Sequence, residues 1–283
     1  MGSYLPLVIV LAAGGVGTVV LVLFGGAILT WVREGQVWNS VFRHGIPRDR
    51  RTRAMAVLSN VFLHLHPVAV RKSGIRLSFT WCMGGLTFFL FLAEVVTGVL
   101  LMFYYRPVVE YAYVDIQNMR AKVISMGLMR EIHRWGAHAM VISIWLHMLR
   151  VFLTGSYKPP REFNWTVGVI LLVLTLLLSF TGYLLPWDQL AMWAITVGSN
   201  MARATPLLGH EGPLASFLKI DGVPLVHAGS DARFGLLAGT FVGPNALLRF
   251  YVLHCVFFPV IVSVLIAVHF WRIRKDGGIS GPL

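Results

Sequence analysis

Apolar residues in this chain occur in long, nearly uninterrupted runs that polar and basic segments separate. A helix needs about 20 apolar residues to cross the hydrocarbon core of a bilayer. Runs of at least that length lie at 5–32, 77–105, 133–154, 166–187 and 250–272. None of them shows the strict alternation of a membrane β-strand, so helices are the expected spanning structures. The pattern predicts an all-α membrane protein with five spanning helices.

The composition agrees with this prediction. Of the 283 residues, 57% are hydrophobic and only 13% are charged, whereas ordinary soluble domains are about 25% charged. The first run, 5–32, could also be a cleaved signal sequence. However, it is longer than the usual signal core, and no lysine or arginine precedes it. We therefore expect it to be retained as a transmembrane helix ahead of the other four.

The distribution of the net charge of +12 indicates an orientation. Fifteen of the 24 lysines and arginines fall in 33–76, 150–165 and 272–283. Excess basic residues mark the cytoplasmic side, so the N-terminus is expected outside and the C-terminus inside. The basic run at 43–53 is typical of a segment beside lipid headgroups, and no nucleic-acid partner is expected. Residues 51–67 predict an amphipathic helix on the cytoplasmic surface.

Two of the predicted spanning helices carry histidine pairs at similar spacings. His133 and His147 are fourteen residues apart, and His254 and His269 are fifteen apart. Both intervals are close to four helical turns, so the members of each pair share a helix face and lie roughly 21 Å apart. The two helices run in the same direction. His133 can therefore meet His254 near the outer side, and His147 can meet His269 near the inner side.

Two facing imidazoles suit the ligation of a haem iron, so the sequence predicts two haems stacked across the membrane. A zinc site would need a tight cluster of four ligands, and a proton relay would usually include carboxylates along the same path. Neither arrangement is visible in the sequence. The intervening His138 faces away from His147 and is expected to be a bystander.

Glycines in the spanning helices fit this interpretation. Gly84, Gly98 and Gly136 each cost helix stability relative to alanine. A porphyrin between helices needs positions without a side chain, so we interpret these glycines as clearance for haem. Close helix packing is the alternative, and Gly168 and Gly182 fit either explanation equally.

Four stretches resemble cytochrome b6, the short, split form of cytochrome b in b6f-type and related menaquinol complexes. They are HRWGAHAMVISIWLHMLRVFLTGSYKPPREFNW, GYLLPWDQ, LLRFYVLHCVFF and ISGPL. The resemblance implies a four-helix di-haem domain over 77–283. Ahead of it stand an extra transmembrane helix (1–32) and a basic surface segment (33–76). About the first 60 residues, including the extra helix, have no counterpart in ordinary b6 proteins.

The resemblance also implies roles for individual residues. His133 and His254 would ligate a low-potential haem near the outer face, and His147 and His269 a second haem b near the inner face. Cys82, in TWCMGGLTFF, would hold a c-type haem through one thioether beside the inner haem. The basic residues that match positions near the haem propionates or on the haem-bearing helices are Arg130, Arg134, Arg161 and Arg249.

The quinone sites follow from the same resemblance. Pro186 and Trp187 would shape an outer quinol pocket, and Arg274 would lie at an inner quinone pocket. The acidic PEWY-type motif of the family is absent from the sequence. Another subunit is therefore expected to complete the quinol site.

The implied function is that of the haem-bearing subunit of a quinol-oxidising complex in an energy-transducing or bacterial cytoplasmic membrane. One electron of a quinol would pass to a Rieske iron–sulfur protein outside, and the other would cross to an inner quinone with coupled proton translocation. The acceptor would be a cytochrome c or a plastocyanin-type protein, in respiration or photosynthesis. The other implied partners are a subunit IV-like C-terminal half of cytochrome b, a c-type cytochrome and membrane lipid, in a dimeric complex.

The chain also departs from the b6 pattern, and two other functions stay open. Glu94 replaces the usual glutamine, His138 occupies a position that is commonly small, and the loop at 208–245 is longer than usual. One alternative function is a di-haem membrane anchor of a dehydrogenase or hydrogenase. The other is a transporter or channel with structural histidines, which would be colourless when purified.

Overall fold

The fold is an all-α bundle whose long helices are apolar enough to cross a membrane. The computed structural model describes residues 18, 22–35, 49–51, 76–122, 124–217, 219–220, 222–276 and 278. Within this part of the chain, four helices qualify as membrane spans: Met83–Met102, Met126–Leu153, Glu162–Leu184 and Pro244–Lys275. The prediction of a multi-pass helical membrane protein is confirmed.

The described elements are these. The helices are α1 (22–34), α2 (Leu77–Thr80), α3 (Met83–Met102), α4 (Val109–Lys122), α5 (Ile124–Leu153), α6 (Glu162–Leu184), α7 (Gln189–Arg203), α8 (Ala232–Leu237), α9 (Pro244–Val252) and α10 (Phe258–Lys275). A π-helical turn, Leu253–Phe257, joins α9 to α10 into one continuous span. Two short strands, β1 (Lys219–Ile220) and β2 (Val223–Pro224), pair antiparallel after a 3-10 turn, Ala215–Phe217.

Some sequence predictions fall on parts of the chain outside the described residues. The predicted N-terminal span 5–32 is described only from residue 22 onwards, apart from Thr18, and that portion is helical. The amphipathic helix 51–67 lies outside the described residues except for Arg51. The closing ISGPL lies outside them as well.

Two predicted connections contain helices. The segment between the predicted spans 77–105 and 133–154 includes α4, and the segment between the predicted spans 166–187 and 250–272 includes α7 and α8. Hydropathy alone misses these helices because they are short and α4 and α7 mix polar with apolar residues, so none forms a long apolar run. A local signal was available for α7, since Asp188 caps it by accepting a hydrogen bond from the Ala191 N–H at 2.9 Å.

The span boundaries also differ from the apolar runs. The α5 helix begins at Ile124, nine residues before the predicted start at 133. Its first turns carry Arg130, Glu131 and Arg134. These charged residues end the apolar run without ending the helical hydrogen bonding, so hydropathy underestimates the length of the helix.

The centre of the bundle is an apolar cluster to which all four spans contribute. Its buried members are Phe91, Met140, Val167, Leu171 and Val262. Met140 lies seven residues from both His133 and His147, and Val262 lies eight from His254 and seven from His269. This cluster, called the central apolar layer below, therefore separates the two levels at which the histidines lie.

At one end of the bundle, α4 is held by an ion pair. Arg106 donates to both carboxylate oxygens of Asp115, from Nη2 to Oδ1 at 2.6 Å and from Nε to Oδ2 at 3.0 Å. The hydrogen bond from the Arg106 side chain holds the pKa of Asp115 below its ordinary value. Tyr105 donates to the Leu185 carbonyl at 2.6 Å. These contacts hold α4 beside the turn that follows α6.

Candidate functional site

Each paired histidine lies against a glycine on a neighbouring helix. A Cβ atom at Gly98 would stand 3.1 Å from Cε1 of His133, and one at Gly182 would stand 2.5 Å from Cε1 of His254. Contacts below about 3.4 Å require a neighbouring atom to move. At this level of the bundle the two glycines thus provide the space that the imidazoles occupy.

The second level repeats the arrangement less tightly. A Cβ atom at Gly84 would stand 3.3 Å from Cε1 of His147, whereas one at Gly168 would stand 3.8 Å from Cε1 of His269. The value for Gly168 is an ordinary van der Waals distance. Gly84 and Gly98 lie fourteen residues apart on α3, and Gly168 and Gly182 lie fourteen apart on α6. The glycine helices therefore repeat the spacing of the histidine helices.

The π-helical turn explains why one histidine interval has fifteen residues instead of fourteen. His254 lies inside this turn, Leu253–Phe257. A π turn closes its hydrogen bonds over one more residue than an α turn. The additional residue is absorbed there, and His269 stays at the level of His147.

The structure brings the histidines together as two pairs. The ring centres of His133 and His254 are 6.1 Å apart, and those of His147 and His269 are 6.4 Å apart. The rings within a pair are inclined at 83° and 77° respectively. A metal about 2 Å from one nitrogen of each ring would need ring centres about 6 Å apart. Both pairs therefore fit a single metal ion bound between two imidazoles.

Hydrogen bonds assign the tautomer of the first pair. Nδ1 of His254 lies 3.0 Å from the Leu178 carbonyl oxygen, which can only accept. Nδ1 of His133 lies 2.9 Å from Oγ1 of Thr97. The Thr97 hydroxyl donates to the Ala93 carbonyl at 2.7 Å, so its oxygen accepts from the imidazole. Both Nδ1 atoms therefore carry hydrogen, and Nε2 of each ring is the nitrogen available to a metal.

One carboxyl group joins the first pair. Oε2 of Glu94 lies 3.1 Å from Nδ1 of His133. The other oxygen, Oε1, would overlap a Cβ atom at Gly136. Gly136 therefore provides space for the Glu94 carboxyl rather than for a histidine ring.

Within the described residues, the structure gives no indication of a metal site with more than two protein ligands. Among the described residues, no three His, Cys, Asp or Glu side chains converge as a multidentate site would require. His138 is exposed, and its ring centre lies 5.6 Å from that of Trp135. The two histidine pairs are therefore the candidate metal centres in this part of the chain.

Cys82 lies at the end of the bundle that holds the second pair. It is exposed, precedes the first residue of α3 and has a positive φ of 52°. Its Sγ atom would stand 3.1 Å from a Cβ atom at Gly85. Gly84, two residues along the chain from Cys82, contacts His147. The thiol is thus accessible near the second pair, whereas Cys255 is partly buried.

The predicted arginines divide between the two ends of the bundle. Arg130 binds Glu131 at 2.7 Å, with Arg134 3.7 Å from the same carboxylate. Arg249 donates to the Gly235 carbonyl. At the opposite end, Arg161 donates to the carbonyls of Asp276 and Gly278, both at 3.4 Å.

Sequence reasoning did not identify Arg272. Its side chain is fully buried and donates to Oδ1 of Asp276 at 3.1 Å, near Arg274 on the same helix. The guanidinium carbon lies 5.1 Å from the centre of the Phe163 ring. The separation of four residues between Arg272 and Asp276 is the available sequence signal, because such pairs are neighbours on a helix.

An open cleft lies where α6 ends. It has a volume of about 560 Å³ and is lined by Tyr113, Gln117, Trp187, Asp188, Gln189 and Leu190. Trp187, which directly follows Pro186, has a φ of 53°, a left-handed conformation that is uncommon for a bulky residue. The α4 residues of the lining, Tyr113 and Gln117, were not predicted from the sequence.

Comparison with known proteins identifies relatives of this fold. A family model described as "Cytochrome b/b6/petB" matches residues 69–277, more than half of the chain. A solved structure described as "Hyperthermophilic respiratory Complex III" is similar, with a TM-score of 0.62 and 24% sequence identity. The similarity covers 82% of this chain and 55% of that one, so the chain spans about half the length of that protein. At this identity the structural similarity shows a shared fold.

Proposed function

Since the chain belongs to the cytochrome b family, we propose that it is the haem-binding, membrane-spanning subunit of a quinol-oxidising complex. The observation that carries the proposal is the presence of two histidine pairs with ring centres 6.1 and 6.4 Å apart. Each pair has the separation that one metal between two imidazoles requires. The pairs belong to two levels of one bundle, roughly 21 Å apart along the helices.

The proposed ligands are His133 with His254, and His147 with His269, each pair holding one haem b. When bound, haem supplies reversible one-electron oxidation and reduction of its iron. The hydrogen bonds to Nδ1 of His133 and His254 orient these rings and leave Nε2 free to bind. Gly84 and Gly98 keep the space beside His147 and His133 free of side chains.

We propose that arginine side chains bind the propionate groups of the haems. A guanidinium is a suitable partner for a propionate near a membrane face, because it donates two parallel hydrogen bonds. Arg130, Arg134 and Arg249 would serve the level of the first pair. Arg161, at the other end of the bundle, would serve the second. The central apolar layer lies between the two levels.

The cleft beside Trp187 is the proposed quinol site, with Pro186 fixing the turn that shapes it. Asp188 borders the cleft and also caps α7, so it holds in place the start of the helix whose residues Gln189 and Leu190 line the cleft. Arg274 is proposed to border the inner quinone site at the opposite end. A Rieske protein, a C-terminal cytochrome b half and a c-type cytochrome would complete a dimeric complex.

Cys82 is proposed to hold a further c-type haem through a thioether, which its exposure near the second pair supports. The proposed orientation has the N-terminus outside and the C-terminus in the cytoplasm. The proposed divisions of the chain are an N-terminal spanning helix (1–32), a cytoplasmic surface segment (33–76) and the di-haem domain (77–283).

Purification of the complex from its native membrane tests the function. We expect two haem b per chain, a co-purifying Rieske protein and quinol-dependent reduction of a cytochrome c. A molybdenum- or nickel-containing partner without a Rieske protein would instead identify the chain as the membrane anchor of a dehydrogenase or hydrogenase. Protein without a Soret band would contradict both haem hypotheses.

The two cysteines of the chain provide a matched test of covalent attachment. On a denaturing gel stained for haem peroxidase activity, wild-type protein should stain near its mass of 31.5 kDa. Cys82→Ser should abolish the stain and leave extractable haem b unchanged, whereas Cys255→Ser should keep the stain. An unstained wild-type band would reject the covalent haem without affecting the four histidines.

A further inference from the structure

A network of side-chain contacts joins α7 to α8 in the connection that precedes the last span. Nδ1 of His210 lies 2.5 Å from Oδ2 of Asp231, whose side chain is only 1% exposed. Nε2 of His210 lies 3.7 Å from Oε1 of Glu211, and Glu211 pairs with Arg203, the last residue of α7. These four residues, called the α7–α8 network below, therefore link the end of α7 to the residue that precedes α8.

The protonation of Asp231 fixes the direction of its contact with His210. Burial raises the pKa of Asp231, but hydrogen bonds from the Phe234 N–H and from His210 lower it by more, so this pKa lies below its ordinary value. Asp231 is therefore a carboxylate at neutral pH, and a carboxylate can only accept hydrogen bonds. Nδ1 of His210 is thus the donor. The other oxygen, Oδ1, accepts from the Phe234 N–H at 2.7 Å and caps α8.

The backbone beside His210 is held in place as well. The Leu208 carbonyl accepts a hydrogen bond from the Ala232 N–H at 2.8 Å, which ties the segment to the start of α8. A Cβ atom at Gly209 would overlap the Arg203 carbonyl oxygen, so the chain can turn back over the end of α7 only with a glycine at this position. A defined turn therefore presents His210 to its acceptor.

Both helices that the network joins also support the cleft beside Trp187. Gln189, at the start of α7, lines the cleft. On α8, Leu237 is 1% exposed and belongs to a buried apolar cluster against which Trp187 packs. A change in the position of either helix would therefore move part of the cleft wall.

We propose that His210 is a positioning residue whose hydrogen bond to Asp231 holds α7 and α8 together and so keeps the cleft in the shape that binds quinol. This inference rests on the proposed function of the cleft. His210 does not line the cleft, so it acts through the two helices and not on the substrate. Loss of the hydrogen bond should weaken substrate binding and leave the haem content unchanged.

Steady-state oxidation of a short-chain naphthoquinol by the purified complex tests this role. His210→Leu, which removes the donor, should raise the KM several-fold with little change in kcat, the pattern expected when binding alone is weakened. His210→Asn should restore the KM, because its amide N–H can take the position of Nδ1. His210→Gln, whose amide extends past that position, should behave like His210→Leu and replaces it if the leucine variant does not assemble.

Hydrogen–deuterium exchange of the same proteins measures the network without reference to activity. Backbone amides of α7 and α8 should exchange about tenfold faster in His210→Leu, because losing a hydrogen bond to a charged group makes local opening easier. In His210→Asn they should exchange at nearly the wild-type rate. Amides of α6 should be unaffected in both variants.

His227→Leu is the matched control. His227 lies exposed in the same connection, but its Nδ1 accepts from the Gly229 N–H at 3.1 Å, within its own turn. Its substitution should leave the KM and the exchange of α7 unchanged. Equal effects in His210→Leu and His227→Leu would overturn the inference, since they would indicate general loosening of the connection.

The other outcomes separate this inference from the proposed function. An unchanged KM in His210→Leu overturns the role of His210 in substrate binding, whether or not exchange is faster, and leaves the function intact. Failure of His210→Asn to restore the KM overturns the hydrogen bond as the cause. A wild-type complex that does not oxidise quinol overturns the proposed function, while unchanged exchange in His210→Leu would still show that the network does not hold the helices.

Discussion

The two histidine levels share a backbone plan but differ in their immediate surroundings. At both levels, imidazoles from two parallel spans lie against glycines of the other two spans. At the first level, Nδ1 of His133 contacts Thr97 and Glu94, and Nδ1 of His254 contacts the Leu178 carbonyl. At the second, His147 and His269 have no carboxylate within 4 Å among the described residues.

This difference shows that two sets of residues have different roles. The repeated glycine and histidine spacings build two similar histidine pairs, and a few polar side chains then make the surroundings of the two pairs unequal. Such side chains orient the ligands of a metal and tune it. The comparison also predicts which substitutions should affect one level and leave the other unchanged.

The largest expected effect comes from removing one ligand at each level. His254→Leu should abolish the haem of the first level, and His147→Leu that of the second, because an iron held by one imidazole loses half of its protein ligation. Each variant should fall from two haem b per chain to about one in a pyridine haemochrome assay. His138→Leu, on the same helix as His147, should retain both haems. Loss of both haems in either single variant would show that the levels are not independent.

Two glycine substitutions on α6 should have opposite effects. Gly182→Ala places a Cβ atom 2.5 Å from the ring of His254, and overpacking of this kind costs about 1–3 kcal/mol. Gly168→Ala places its Cβ atom 3.8 Å from His269, so it should gain the ~0.5–1 kcal/mol by which alanine exceeds glycine in a helix. Thermal denaturation followed by circular dichroism measures both. Equal destabilisation by the two substitutions would contradict the difference in packing between the levels.

A double-mutant cycle tests the pairing of Glu94 with Gly136. Gly136→Ala alone should destabilise the protein, because its Cβ atom overlaps Oε1 of Glu94. In a Glu94→Ala background the same substitution should be nearly neutral, with a coupling energy of about 0.5–3 kcal/mol. Chemical denaturation in detergent measures the four variants. Additive effects would show that Gly136 serves another purpose, such as the haem clearance predicted from the sequence.

The smallest expected effect depends on pH and concerns the cleft beside the first level. The pKa of Asp115 is lowered from 3.8 by the hydrogen bond from Arg106. Its contribution to stability is therefore present above pH 3.8 and is lost as the pH falls through the folded-state pKa. Asp115→Asn should lower the Tm slightly at neutral pH, and the difference from wild type should shrink below about pH 4. Glu110→Gln, an exposed position on the same helix, should leave the Tm at neutral pH unchanged.

The family and the all-α membrane architecture were predictable from the sequence. The long apolar runs required helices, and the residues shared with cytochrome b6 indicated the family that residues 69–277 match. The cleft residues that lie on α4 and α7 were harder to foresee, because short helices of mixed polarity at the ends of spans do not stand out by hydropathy. The assignment of residues to haem and quinone stays a prediction.

The sequence by itself determined which residues share a helix face, because the period of 3.6 residues relates His133 to His147 without reference to any neighbour. Only the tertiary structure decided what each face meets. Gly136 meets Glu94, Gly98 meets His133, and the additional residue before His269 is absorbed in a π turn. These contacts depend on how neighbouring helices rotate and cross, and side-chain packing between helices sets those angles. Spacing along one helix carries no information about them.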